Sequence, residues 1–368
     1  MGSSSTYYSL EFLTVVAVSV FLITHANNVV KETGKKDKKC DLYDGRWVLD
    51  ESYPLYSSKQ CPLILEQFNC MGNGRPDHDY EKYRWQPNNC NLPRWDVREF
   101  GERMRGKRMM FVGDSLSLNQ WQSLACMTMM IQSPPRPRAA YNNPTKSGPL
   151  STIFFPQLNF TLMYMRNALI VDIAKEKGGK VLKLDSVATS AKQWLESDIL
   201  IFDTWHWWLH TGRKQPWDQI QDGNVIRKDM DRLAAYEKAL TTLTKWIDQN
   251  VDAKKIKIFF QGVSPDHWNS SDCGTPLTQR CAGQPEPLVK PVEATGKNRA
   301  NVVLEEVLRK TRKPIHLLDI NEMSQFRVDG HPSMYGNPRK IGMDCTHWCL
   351  PGVPDVWNEL LYATFLGL

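Results

Sequence analysis

Three residue types that perform acyl chemistry together occur in this sequence in a usable order. Ser115 stands in Phe111-Val112-Gly113-Asp114-Ser115-Leu116, directly after an apolar run and at the start of a helical pattern. Gly113 permits a tight turn there. A helix N-terminus beside the hydroxyl supplies N–H groups and partial positive charge for an oxyanion. The plainer alternative is that Asp114 or Ser115 only caps the helix. A nucleophilic serine also needs a base. Of the eight histidines, His347 alone has a carboxylate at a spacing that works locally, in Asp344-Cys345-Thr346-His347. Asp344 can bond one imidazole nitrogen and leave the other for Ser115. Such pairs also arise by chance, so the order serine first, Asp–His near the C-terminus, carries the expectation.

These residues need a scaffold. The chain has 368 residues, enough for one large domain or a large domain plus a small one. Residues 1–26 read as a signal peptide or signal anchor: Phe12 to Thr24 is apolar but short for a bilayer span, and ends in Thr24-His25-Ala26. No Lys or Arg precedes the run and Lys35, Lys36, Lys38 and Lys39 follow it closely, which opposes an anchor with a cytosolic N-terminus. Residues 27–39 form a basic linker, and residues 40–97 a Cys-rich, loop-rich module without sustained helical or strand period. From residue 98 the pattern becomes α/β. Met109–Val112, Ile199–Phe202, Ile256–Phe260 and Ile315–Ile320 are strand candidates. Helices are expected from Leu116 to Met130, along Leu233, Tyr236, Leu240, Leu243 and Ile247, and from Asn298 to Lys310. Alternating strands and helices predict a parallel sheet covered on both faces, with the active site outside the carboxyl ends of the strands.

Composition narrows the function. Net charge is +6, with much of the excess at Lys35, Lys36, Lys38 and Lys39, and neither a basic helix nor zinc-finger spacing points to nucleic acid. The nine cysteines include no C-x-x-C, so a metal site is not expected and disulfides in an oxidising compartment are. Asn159 and Asn269 open glycosylation sequons usable there. The thirteen tryptophans suit a core or a sugar-binding cleft equally.

The order of the Gly-Asp-Ser and Asp-x-x-His motifs resembles the GDSL/SGNH esterase superfamily. Gly45-Arg46-Trp47-Val48, Phe68-Asn69-Cys70, Asn73-Gly74-Arg75-Pro76-Asp77 and Arg84-Trp85-Gln86-Pro87 resemble the N-terminal module of the plant trichome birefringence-like family. Val112–Trp121, Asp203–Trp208 and Asp344–Pro351 resemble its esterase-like domain, so the likeness covers nearly everything after residue 40. It implies a three-layer αβα SGNH-like domain over residues 98–368, with the disulfide-rich module packed against it. It further implies O-acetyl transfer to a plant cell-wall polysaccharide through acetyl-Ser115, in the Golgi lumen or, after signal cleavage, the apoplast. Pectin is slightly favoured as acceptor over xylan, mannan or xyloglucan. No cofactor is expected to stay bound; an acetyl donor is required, one candidate being derived from acetyl-coenzyme A or handed over by a donor-supplying membrane protein. The membrane is met only through the N-terminal segment.

The resemblance also implies disulfides Cys40–Cys90, Cys61–Cys126, Cys70–Cys349 and Cys281–Cys345, with Cys273 over. Gly113, Asp114, Asn119, Asp203 and Trp205 are the oxyanion and substrate candidates. Asp203 stands where many SGNH enzymes carry an asparagine donor; an ionised carboxylate there would repel an oxyanion, leaving backbone N–H groups and Asn119. Leu118 stands where much of the family has arginine. An acetylesterase with the same triad, or a non-catalytic carbohydrate-binding wall protein, are the alternatives.

Overall fold

The apolar run at residues 109–112 is the middle of a strand buried on both faces, and the rest of the architecture is assembled around it. A computed structural model describes residues 40–131, 150–268, 281, 286–288, 298–337 and 342–367. The signal segment, the basic linker, Asn269 and Cys273 therefore lie outside the described residues.

Within Leu42–Leu368, strands β1 (Gly45–Leu49) and β2 (Tyr83–Pro87) pair antiparallel, which gives the N-terminal module a small sheet that its sequence did not announce. Helix α1 (Val97–Met104) leads into β3 (Arg108–Gly113) and α2 (Ser115–Met129). There follow β4 (Leu150–Phe155), β5 (Phe160–Arg166), β6 (Val171–Glu176), β7 (Gly179–Val187) and β8 (Ile199–Asp203). Next come β9 (Gln219–Asp222), β10 (Val225–Arg227), α3 (Arg232–Asn250), β11 (Lys257–Gln261), α4 (Arg299–Leu308), β12 (His316–Leu318) and α5 (Val353–Leu366).

The central sheet runs β12-β11-β8-β3-β5-β4, parallel throughout except for β4 at one edge. Successive residues of β3 point to opposite faces. Met109 and Phe111 enter the core shared with α2 and α5; Met110 and Val112 enter the core shared with α3 and α4. Each fully buried side chain of this kind stabilises the fold by about 1.5–3 kcal/mol. The α/β architecture with a disulfide-rich N-terminal region is thus as the sequence predicts.

Residues 150–187 were not read as strands. β4 and β5 extend the parallel sheet, whereas β6 and β7 form a second sheet in the order β10-β9-β7-β6 that packs on α3. Strands β6 and β7 are rich in Lys, Asp and Glu with few residues buried, as in Gly179–Val187, where only Val181, Leu182 and Leu184 are buried. Polarity of this kind hides a strand from any search for continuous apolar runs.

The tryptophans are mostly core: Trp121, Trp194, Trp208, Trp348 and Trp357 are fully buried. The N-terminal module is joined to the sheet domain by Cys61–Cys126 and by Cys70–Cys349, the latter linking positions 279 apart. Loops of such length make a crosslink worth about 3–5 kcal/mol in the chain-entropy account. Cys281–Cys345 forms, and Cys40 and Cys90 are also disulfide-bonded. Buried hydrogen bonds reinforce the seam, Tyr53 Oη donating to Glu359 (2.8 Å) and Tyr56 Oη to Asp355 (2.8 Å). No helix among the described residues is long and apolar enough to cross a membrane.

Candidate active site

Ser115 is the first residue of α2, immediately after the carboxyl end of β3. Gly113 is required there by close approach: a Cβ on it would lie 2.1 Å from the Asp203 carbonyl oxygen and 2.8 Å from Ser117 Cβ. Asp114 is the N-cap, its carboxylate accepting from Leu116 N (2.8 Å). Ser115 Oγ lies 2.7 Å from His347 Nε2, and His347 Nδ1 lies 2.7 Å from Asp344 Oδ2. The three residues that sequence spacing singled out are therefore in line, although 232 positions separate serine and histidine.

One carboxylate both folds the loop and orients the ring. Asp344 Oδ1 accepts from the backbone N–H groups of Thr346 (3.1 Å) and His347 (3.0 Å), closing an Asx-type turn. Its Oδ2 is thereby left facing Nδ1, which fixes the imidazole with Nδ1 protonated and Nε2 free to accept. Burial would raise the Asp344 pKa, but the His347 charge and these hydrogen bonds outweigh it and hold the carboxyl well below the usual range. The loop is anchored further by reciprocal backbone bonds between Ser333 and Asp344 and by disulfides at Cys345 and Cys349.

The oxyanion and substrate candidates separate in space. Asn119 is fully buried, its amide donating to Trp348 O (3.2 Å) and its oxygen accepting from Trp348 N (2.8 Å). Both polar ends engage the Trp348 backbone, so Asn119 clamps the residue after His347. Asp114 and Asp203 are likewise buried beneath the floor and touch no surface on which a substrate could rest. Burial, and then the charge of Asp114, raise the Asp203 pKa well above the usual carboxylate range. Gln261 Nε2 donates to it at 3.4 Å.

The first turn of α2 also offers less than its position suggests, because Asp114 already takes Leu116 N–H. Trp205 sits differently, at the rim of a cavity of about 450 Å³ that it lines with His206, Ser264 and His267. Asn159 is exposed at a turn with φ 49°.

Several supporting residues carried no local signal. His331 Nδ1 donates to His347 O (2.7 Å), stacks on Trp348 with centroids 4.0 Å apart, and bonds His267 Nδ1 through its other nitrogen. Burial lowers the pKa of both, His267 to about 4, so this pair is neutral and structural. Arg75 of the N-terminal module donates to His331 O (3.1 Å) and Asp329 O (2.8 Å) while paired with Asp77. Phe68 packs on the His347 ring at 5.4 Å. Trp268, exposed at the rim, donates from Nε1 to Thr346 Oγ1 (2.8 Å). Among the described residues no cluster of His, Cys, Asp and Glu could hold a metal ion.

A serine at a strand-to-helix junction of a parallel sheet, facing a histidine from a C-terminal loop, is the arrangement of acyl-ester chemistry. Residues 92–364 match the model of the GDSL/SGNH-like acyl-esterase family found in Pmr5 and Cas1p, and residues 38–91 match the PMR5 N-terminal domain. The chain is 50% identical to protein trichome birefringence-like 41 of Arabidopsis thaliana, over 98% of this chain and 99% of that one. To trichome birefringence-like 43 it is 50% identical, over 89% and 88%, and to trichome birefringence-like 38 it is 47% identical, over 90% and 86%, both of the same plant. The chain belongs to the trichome birefringence-like family, and its larger domain belongs to the GDSL/SGNH-like acyl-esterase family. Its disulfides fit the oxidising environment of the secretory pathway.

Proposed function

We propose that the protein is an O-acetyltransferase that moves acetyl groups onto hydroxyls of a plant cell-wall polysaccharide through an acetyl-Ser115 intermediate. The observation that carries this reading is the unbroken line from Ser115 Oγ through the His347 ring to Asp344, with both contacts at 2.7 Å. In the first half-reaction His347 Nε2 takes the Ser115 proton as Oγ attacks the carbonyl carbon of the acetyl donor. Asp344 balances the imidazolium. The donor's leaving group departs with the proton from His347, and acetyl-Ser115 remains.

In the second half-reaction a sugar hydroxyl replaces the donor. His347 takes its proton, its oxygen attacks the acetyl carbon, and the proton returns to Ser115 Oγ as the acetylated sugar leaves. Ser115 N–H has no hydrogen-bond partner among the described residues and is the oxyanion donor in both halves. Transfer prevails over hydrolysis when the acceptor excludes water. Pectin is the acceptor this reading favours, and the Golgi lumen or the apoplast its setting, with the acetyl donor arriving as a transient substrate.

The description of the matched family as an acyl esterase favours one second reading, an acetylesterase working on the same polysaccharide. Incubation of the purified protein with an acetyl donor and an oligosaccharide panel tests both readings. Intact mass should show an acetyl adduct on Ser115 and acetylated sugar, both lost in Ser115→Ala. Acetate release without acetylated sugar establishes the esterase, and acetyl transfer surviving in Ser115→Ala overturns the catalytic assignment.

A further inference from the structure

Arg166 is the last residue of β5, register-paired with Gly113 of β3, and the next residue, Asn167, donates its N–H to Gly113 O at 3.0 Å. Its backbone is therefore one strand, about 4.8 Å, from the segment that presents Ser115. The residue is exposed, and its guanidinium lies over the Trp207 ring, 5.1 Å from the centroid. An arginine stacked on an aromatic face keeps its in-plane N–H groups available for a planar anion. Among the described residues no hydrogen bond or ion pair engages that guanidinium.

The carboxylate that shares its surroundings is otherwise committed. Asp172 accepts from Ser186 Oγ (2.8 Å), Thr189 N (2.8 Å) and Thr189 Oγ1 (2.9 Å). The two acidic residues beneath Ser115 are buried away from this surface, Asp114 capping α2 and Asp203 accepting from Gln261. Arg166 and Trp207 line a cavity of about 380 Å³ with Asn167, Thr189 and Ser190, a size and polarity that suit one sugar unit. The segment Trp205–Trp207 divides this cavity from the 450 Å³ cavity lined by Trp205, and His206 in that divider stands 4.0 Å from the Asp114 carboxylate, beside the serine.

We propose that Arg166, held by Trp207, is a carboxylate-recognising subsite that binds a uronate unit of an acidic polysaccharide next to the unit presented to Ser115. This rests on the reading of the cleft as a polysaccharide acceptor site, and it names the class of polysaccharide. A guanidinium and a carboxylate meet by two parallel hydrogen bonds, whereas a methyl-esterified uronate offers no charge and a neutral pentose no carboxyl group at all.

The test is a binding measurement that needs no turnover. Isothermal titration of the Ser115→Ala protein compares oligogalacturonate, its fully methyl-esterified form and a neutral xylo-oligosaccharide. Oligogalacturonate should bind most tightly and lose affinity as salt is raised. Adding Arg166→Gln should weaken it by about tenfold or more, the scale of a charge-assisted hydrogen bond. Arg166→Lys should recover part of the loss, as a point charge without the planar fork. Lys228→Gln, which removes one exposed positive charge on the β10 side of the molecule, should change nothing. Equal affinity for oligogalacturonate with and without Arg166, equal affinity of the charged and esterified oligomers, or no binding of oligogalacturonate overturns the proposal. Formation of acetyl-Ser115 is scored separately on the protein that retains the serine. Arg166-dependent binding without an acetyl adduct would leave the subsite standing and remove the transferase reading; the converse result would do the opposite.

Discussion

Replacing Asp344 by Asn isolates the job of one carboxylate. Asp344 uses Oδ1 for two backbone N–H groups, of Thr346 and His347, and Oδ2 for His347 Nδ1. Asparagine has a single acceptor oxygen. If that oxygen stays with the two N–H groups, the turn survives and the amide NH₂ faces Nδ1. Nδ1 must then accept, its proton moves to Nε2, and Nε2 donates towards Ser115 Oγ instead of taking its proton. The opposite flip aims NH₂ at two backbone donors and is worse. The expected result is a folded protein with the wrong imidazole tautomer. The corresponding change in a serine triad costs about 10⁴ in rate, or about 5.5 kcal/mol of barrier at roughly 1.36 kcal/mol per tenfold. Release of p-nitrophenol from p-nitrophenyl acetate measures the first half-reaction, and thermal unfolding checks the fold. Asp344→Asn retaining activity within about tenfold of the wild type at an unchanged unfolding midpoint refutes the tautomer argument.

Other consequences follow from the same structure. Burial raises the Glu359 pKa from 4.5 to about 7, and one carboxyl oxygen has no hydrogen-bond partner. The folded state therefore keeps its proton where the unfolded chain has lost it, so stability should fall as pH rises from 4.5 to about 7. The loss is of order 3 kcal/mol. Glu359→Gln should flatten that slope in denaturant titrations across this range; an identical slope would show that Glu359 is not its source. Gly113→Ala puts a methyl group 2.1 Å from the Asp203 carbonyl oxygen, so β3 and β8 must separate at the site. It should destabilise by about 3 kcal/mol or more, and a wild-type unfolding midpoint would contradict the packing.

Ser115, Asp344 and His347 were legible because chemistry restricts residue type and because each stands in a short motif. Asp-x-x-His is a self-contained turn whose own hydrogen bonds aim the ring, so four residues specify it. The strand before Ser115 was legible for a related reason, since β3 is buried on both faces and reads as an unbroken apolar run. β6 and β7 were not, because a strand with one face in water needs apolar residues only at alternate positions, and lysines and acids fill the rest. Asn119 looked like a donor one turn beyond the serine. Its two bonds to Trp348 join positions 229 apart, and no local pattern encodes such a pairing.

The sequence by itself determined the reacting groups, the order in which they occur and the parallel-sheet class, because these follow from residue chemistry and from periodicity along the chain. Tertiary structure alone decided the burial of Asp203 and the upward shift of its pKa, the engagement of Asn119 and the open guanidinium of Arg166. Each of those depends on what the rest of the chain brings alongside: Asp114 and burial for the first, the Trp348 backbone for the second, and an indole without a competing carboxylate for the third. Desolvation and hydrogen-bond competition act through space, so folding can shift the pKa of a carboxylate that local sequence gives no reason to single out.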